Sequence, residues 1–196
     1  MNSKEFERLL AFLSGWTKSE VDQRTRPLRE LGILDKGAGR HTPDLTHVHA
    51  STMLLTLVAR RATDSLEITR KLLQLRAVLP PKAPEWLQLM LTGDRLVEAL
   101  ALVLASPDSA AIADLRIPTN ASHAWMTIRR GTSSYRVWFT ESDKGRQFVA
   151  DDPDTYYAQG GTYVGHCFCM GEGAFAEIAL SLREKNGSGE AGYKPE

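Results

Sequence analysis

The sequence predicts an α+β fold, mostly helical in its N-terminal half, with a small antiparallel sheet and a closing helix in its C-terminal half. Three observations lead there. Apolar residues recur at three- and four-residue spacing, between recognisable caps, from Ser3 to about Ala105. After "PDS" at 107–109 the pattern changes to segments rich in β-branched and aromatic residues that partly alternate. Helical spacing then returns in "EGAFAEIALSLREK".

The first helix is expected over Ser3–Leu13, where Phe6, Leu9, Leu10 and Leu13 fall on one side and Asn2 or Ser3 caps the start. "SGW" breaks it. Thr17 or Ser19 caps a second helix reaching about Leu31, with Val21, Thr25, Leu28 and Leu31 as its buried stripe and Gly32 as its stop. Pro27 lies inside this helix and should bend or divide it, because proline lacks a donor and crowds the preceding turn. "ILDKGAGRHTPDLT" follows, with Gly37 and Gly39 turning between two short extended pieces. A third helix is expected near Thr42-Pro43-Asp44, burying Val48, Met53, Leu54, Leu57 and Val58. Thr63 or Asp64 caps the next, which holds Leu66, Ile68, Leu72, Leu73 and Leu75 and ends at "LPPKAP". One or two more helices fill 85–105. Strands are expected in "ADLRIP", "HAWMTIRR", "SYRVWFT" and "TYVGHCFC", with "RRGTSSYR" as a hairpin loop. The last segment, "NGSGEAGYKPE", has the composition of a disordered tail.

Composition narrows the function classes. The chain has 196 residues, 42% of them hydrophobic and 24% charged, as in ordinary globular proteins. No apolar run approaches the roughly 18 residues that span a bilayer. The opening "MNSKEFERLL" does not read as a signal peptide. Two cysteines give no disulfide framework, so a cytoplasmic location is expected. Net charge is zero, which argues against a protein that coats nucleic acid over its whole surface. The charge is nevertheless uneven, with ten basic and seven acidic residues in 1–62 against fourteen and seventeen beyond. A mildly basic head on a mildly acidic body suits binding of DNA at one end.

Within that head, "LLAFLSG-WT-KSEVDQRTRPLRELG" has the layout of a helix-turn-helix: a supporting helix, a tight turn with Gly15, and a second helix with polar residues opposite its apolar stripe. Its outward set is Lys18, Ser19, Asp22, Gln23, Arg26 and Arg29. Long donors near a helix start are what major-groove readout needs: Arg or Lys for guanine edges, Gln for adenine, Lys or Ser for phosphate. Asp22 puts an acid on that face, four residues before Arg26. Leu28, Leu31, Gly32, Ile33 and Leu34, in "LRELGILDKGAGRH", resemble the segment of winged helix-turn-helix regulators where the recognition helix turns into the wing. The wider arrangement, with its "TP"-started helix after the hairpin, is similar to small phage- or prophage-encoded members of that class, over about residues 3–62. The resemblance implies a winged helix-turn-helix DNA-binding domain. Lys18, Ser19, Gln23 and Arg26 would then lie in the major groove, with Arg24, Arg29, Lys36 and Arg40 on phosphate or in the adjacent minor groove.

The rest offers less chemistry. Arg129, Arg130 and Arg136 interleave with Trp125, Tyr135 and Trp138, a pattern that can clamp nucleic acid but more often is half-buried sheet with solvated arginines. In "HCFC" a strand would put Cys167 and Cys169 on one face and His166 on the other. No second close pair completes a zinc site, so buried, inert thiols and no metal are expected. There is no phosphate loop, no GxGxxG, no GxSxG and no HExxH, and "ADDPDTYY" reads as an acidic turn. No catalytic residue and no cofactor are assigned.

The expected organisation is a DNA-binding domain at 1–62, a helical connector or dimerisation region at 63–106, an α+β module at 107–186 and a tail at 187–196. The expected function is sequence-specific binding of double-stranded DNA by a homodimer, as a transcriptional regulator of bacterial or phage origin. The C-terminal module would supply dimerisation, a ligand pocket or a protein-partner surface, and no membrane is involved. One alternative is an accessory protein of phage packaging or replication. Another is a protein-interaction module using the same scaffold without DNA.

Overall fold

A computed structural model describes residues 1–34, 44–79, 82–91, 95–105, 111–118, 123–141 and 167–187. The chain is α+β, with an antiparallel five-stranded sheet and with most of its helices before it.

Helix α1 covers Ser3–Ser14. The Asn2 side chain accepts from the Glu5 N–H at 3.0 Å while the Asn2 N–H donates to the Glu5 carboxylate at 3.1 Å, so two donors that a helix start leaves open are satisfied reciprocally. Gly15, at φ 70°, ends it in the left-handed region where a side chain is strained. Helix α2, Lys18–Glu30, begins with the same device between Thr17 and Glu20. It runs unbroken through Pro27, which sits close enough to the end that the following turn still closes: Leu31 N–H donates to the Pro27 carbonyl at 3.1 Å. Val21, Thr25 and Leu28 are buried as expected, but Leu31 lies half-exposed past the last turn and is not part of the stripe. Gly32, at φ 72°, turns the chain away, and Leu34 returns to the core.

Helix α3 spans His47–Leu55 and is capped by Thr46, whose Oγ1 accepts from the His49 N–H at 3.1 Å. It therefore starts later than Thr42-Pro43-Asp44. Met53, Leu54, Leu57 and Val58 are buried, whereas Val48 faces solvent. Two 3-10 turns, Thr56–Val58 and Ala62–Asp64, lead to α4, Ser65–Leu72. Asp64 holds the cap position without making a capping hydrogen bond. Directly after α4 the chain forms strand β1, Arg76–Val78, which the helical reading of this stretch did not anticipate. Helices α5, Glu85–Met90, and α6, Leu96–Ala105, follow.

Strands β2 (Ala111–Pro118), β3 (His123–Arg130), β4 (Ser133–Thr140) and β5 (Cys167–Gly171) complete the sheet in the order β1-β4-β3-β2-β5, and α7, Glu172–Gly187, closes the described chain. Gly131, at φ 59°, makes the tight turn between β3 and β4. Alternation sorts the strands cleanly. Leu115, Ile117, Ala124, Met126, Ile128, Val137, Phe139 and Met170 face the helices, where α7 covers β2 and β5 with Phe175, Ile178 and Leu182. Each of these side chains larger than Ala124 contributes about 1.5–3 kcal/mol on leaving water. On the opposite face Trp125 and Trp138 are direct cross-strand partners, with ring centroids 5.3 Å apart, and Val78 lies beyond Trp138. His123 stacks on Trp125 at 6.2 Å. The basic-aromatic hairpin is thus largely structural: Trp138 is buried, and Arg130 lies over Trp86, 5.1 Å from its ring. The helix-facing residues join one hydrophobic cluster that extends from Phe6 through Val21, Met53 and Leu100 to Leu182. Among the described residues no helix is long and apolar enough to cross a membrane. The tail beyond Gly187 and the "ADDPDTYY" turn fall outside the described residues.

Candidate nucleic-acid interface

Helix α2 is amphipathic, and its two sides carry different chemistry. Val21, Arg24, Thr25 and Leu28 are buried against α1, α4 and the 3-10 turns. Lys18, Ser19, Gln23 and Arg26 are all exposed. Counted from Lys18, the others follow at one, five and eight residues, which places all four on one side of the helix, beginning in its first turn. That turn is held firmly. The Glu20 carboxylate accepts from the Thr17 N–H and the Thr17 hydroxyl, each at 2.8 Å, and these bonds hold the Glu20 carboxyl below its ordinary range.

Two arginines assigned to phosphate are engaged elsewhere. Arg24 is 6% exposed: its guanidinium lies over the Trp16 ring, 3.8 Å from the centroid, and its Nη2 donates to the Arg60 carbonyl at 3.1 Å. Burial lowers its pKa, with the Glu20 charge opposing. It fastens α2 to the turn that precedes α4, a link repeated by the Ser65 hydroxyl, which donates to the Arg24 carbonyl at 3.1 Å. Arg24 therefore moves from the DNA contacts to the core. Its position fits the helical period, three residues after Val21 and next to Thr25 on the inward side, but its residue type pointed to phosphate.

Arg29 is only 18% exposed at its side chain and makes two ion pairs, Nη1 with Glu7 and Nη2 with Asp22. Glu7 is itself buried and also accepts from the Thr25 hydroxyl at 2.8 Å. Both terminal nitrogens of Arg29 thus lock α2 to α1, and Arg29 too is corrected from a phosphate ligand to an internal tie. Nothing local in the sequence marks the Glu7–Arg29 pair, since its members are 22 positions apart on different helices.

Asp22 gains a clear role from this arrangement. Arg26 Nη2 donates to it at 2.6 Å from one side while Arg29 holds it from the other. Partial burial pushes the Asp22 carboxyl up. The Arg26 hydrogen bond and the Arg29 charge more than offset that push and leave it below the ordinary aspartate value. Counted with Glu7, which Arg29 also pairs, two acids meet two cations and the cluster is neutral overall. The spacing i, i+4 to Arg26 was readable; the pairing seven residues on to Arg29, two turns away on the same side, was the missed signal.

Lys36 and Arg40, together with the expected wing, lie outside the described residues. The cysteines contradict their expected burial: Cys167 and Cys169 are both exposed and free. Partial desolvation, followed by the charge and hydrogen bond of Cys169, pushes the Cys167 thiol up to about 11. Among the described residues no group of three or more His, Cys, Asp or Glu side chains converges as a metal site. Comparison of the chain with protein families, with curated proteins and with solved structures finds no match.

Proposed function

We propose that the protein binds double-stranded DNA sequence-specifically, with α1 and α2 acting as the helix-turn-helix of a winged domain and α2 entering the major groove. The observation that carries this reading is the exposed row Lys18, Ser19, Gln23 and Arg26 on a helix whose other side is anchored by Val21, Arg24, Thr25 and Leu28. A reading helix must present its donors at the surface while its backbone is held rigidly, and here the buried arginines do the holding. Gln23 suits an adenine edge and Arg26 a guanine edge, while Lys18 and Ser19 sit where the helix start approaches phosphate. Arg26 must exchange its Asp22 contact for the base. When Arg26 leaves, Arg29 stays between Asp22 and Glu7, so Asp22 keeps one ion-pair partner.

The reading extends to a cytoplasmic transcriptional regulator of bacterial or phage type, acting as a homodimer, since a single small head offers limited contact area and paired heads match two half-sites. A marker protein for phage packaging or replication would use the same face in a larger assembly.

A salt titration of binding tests it. Fluorescently labelled random DNA and the gene's own upstream region are titrated with wild type, with Arg26→Ala and with the Lys36/Arg40 double alanine variant. Tighter binding of the upstream region, a steep fall of affinity with salt, loss of preference in Arg26→Ala and uniform weakening in the double variant are expected. No binding of either fragment at low salt overturns the proposal. A protein-interaction role is the second reading, favoured by Phe12, which is 80% exposed on α1, and by the half-exposed Leu31. Under that reading Phe12→Ala abolishes function and Arg26→Glu leaves it intact.

A further inference from the structure

The exposed dithiol of β5 lies at the far end of the chain from the DNA-facing helix and serves no role in it. Cys167 and Cys169 alternate with Phe168 and Met170, which pack into the core cluster from the other face of the strand. Because both apolar neighbours are seated, neither cysteine can rotate inward without unseating one of them. β5 is bonded to β2 along its length, Cys167 opposite Pro118 and Cys169 opposite Arg116, so the backbone beneath the two sulfurs is fixed. Two residues apart on one strand, the thiols share its outer face, and each sulfur lies near a backbone carbonyl of the same strand: Cys167 Sγ 3.4 Å from that of Phe168 and Cys169 Sγ 3.8 Å from that of Cys167. Arg116 stands across from Cys169 and brings a positive charge to the pair, while its own Nε is held by Asp114 at 3.0 Å.

We propose that Cys167 and Cys169 form a two-coordinate chelate for a soft monovalent cation of the copper(I) class. Ligand number and type choose the ion. Thiolates prefer soft metals, and a zinc site needs four ligands. Two sulfurs on one face, open to solvent, satisfy a d10 cation that accepts two donors in line. Binding replaces two S–H bonds by two S–metal bonds and releases two protons to solvent, leaving an anionic bis-thiolate complex beside Arg116. No electron is transferred. Preorganisation on a paired strand removes most of the ordering cost that a flexible pair would meet.

Copper(I) offered anaerobically to the reduced full-length protein, in competition with a coloured copper(I) chelator such as bathocuproine disulfonate, tests the site. The wild type should withdraw one equivalent per chain. Cys167→Ser and Cys169→Ser should each bind at least about 100-fold more weakly, as expected when a second ligand is no longer tethered. Because the side chains are exposed, both variants should keep the wild-type circular dichroism. X-ray absorption of the copper-loaded wild type gives an independent check that needs no variant: two sulfur neighbours per ion are expected. The proposal is overturned if the wild type fails to compete, if either single variant matches it, or if the ion shows other than two sulfurs. One ion bridging two chains would also overturn it, since the chelate is within one strand.

Discussion

Glu7 is 3% exposed and accepts from both Thr25 and Arg29, which makes it the buried anchor of the α1–α2 pair. Removing one member of such a pair leaves the other charged group desolvated and unmatched, a larger loss than the pair's own net gain. Glu7→Ala should therefore lower the unfolding free energy by about 3 kcal/mol, read from urea melts. Arg26→Ala, at an exposed ion pair, should leave the urea midpoint almost unchanged. If both lose stability alike, the division of α2 into a structural and a reading side is wrong. Much of this division was legible in the sequence from the three- and four-residue spacing of Val21, Thr25 and Leu28. What was not legible was the use of arginine as core material. Arg24 reads as a DNA ligand by residue type, and only the tertiary position of Trp16 and the Arg60 carbonyl turns it into a stacked, buried side chain.

At the level of elements, the caps and stops of α1 and α2 were readable, because they depend on residues within four positions of each other, while the start of α3 at Thr46 was not. Asn2, Thr17, Gly15 and Gly32 all act as their types require. Strand β1 was hidden for the opposite reason. Arg76, Ala77 and Val78 are a three-residue strand only because Thr140, Phe139 and Trp138 offer an edge to pair with, some sixty residues later in the chain. Pro27 is the element-scale conflict. Helix α2 continues across it, so the carbonyl one turn earlier loses its backbone donor and the ring crowds that turn. Pro27→Ala should raise stability, by on the order of 1–3 kcal/mol, with more helical circular dichroism. An unchanged or lowered melting temperature would mean that the proline preorganises the turn at Leu31–Gly32 enough to offset its cost in the helix.

At whole-molecule scale, two histidines on different layers contribute pH dependence near neutrality. Burial lowers the pKa of His123 on the outer face of the sheet, and burial together with the Arg183 charge lowers that of His47 at the start of α3. A group whose folded pKa lies below its unfolded value of 6.5 is neutral in both states above that pH, and its contribution is then fully present. As pH falls, the unfolded chain takes up the protons first, and stability is lost until the folded pKa is passed. The melting temperature should thus fall as pH drops below 6.5, and the His47→Gln, His123→Gln double variant should flatten that slope. A wild-type profile already flat there would show that neither imidazole resists protonation. Since one hydrophobic cluster links the helices to the sheet, this loss should reach both together. The sheet itself has a further consequence. Among the described residues, strand β1 at one edge has three residues, against eight in the β4 it pairs with. So short an edge, bearing Arg76, offers a neighbouring molecule little backbone to zip onto. The same brevity that hid β1 in the sequence thus guards this edge against self-templated fibre growth.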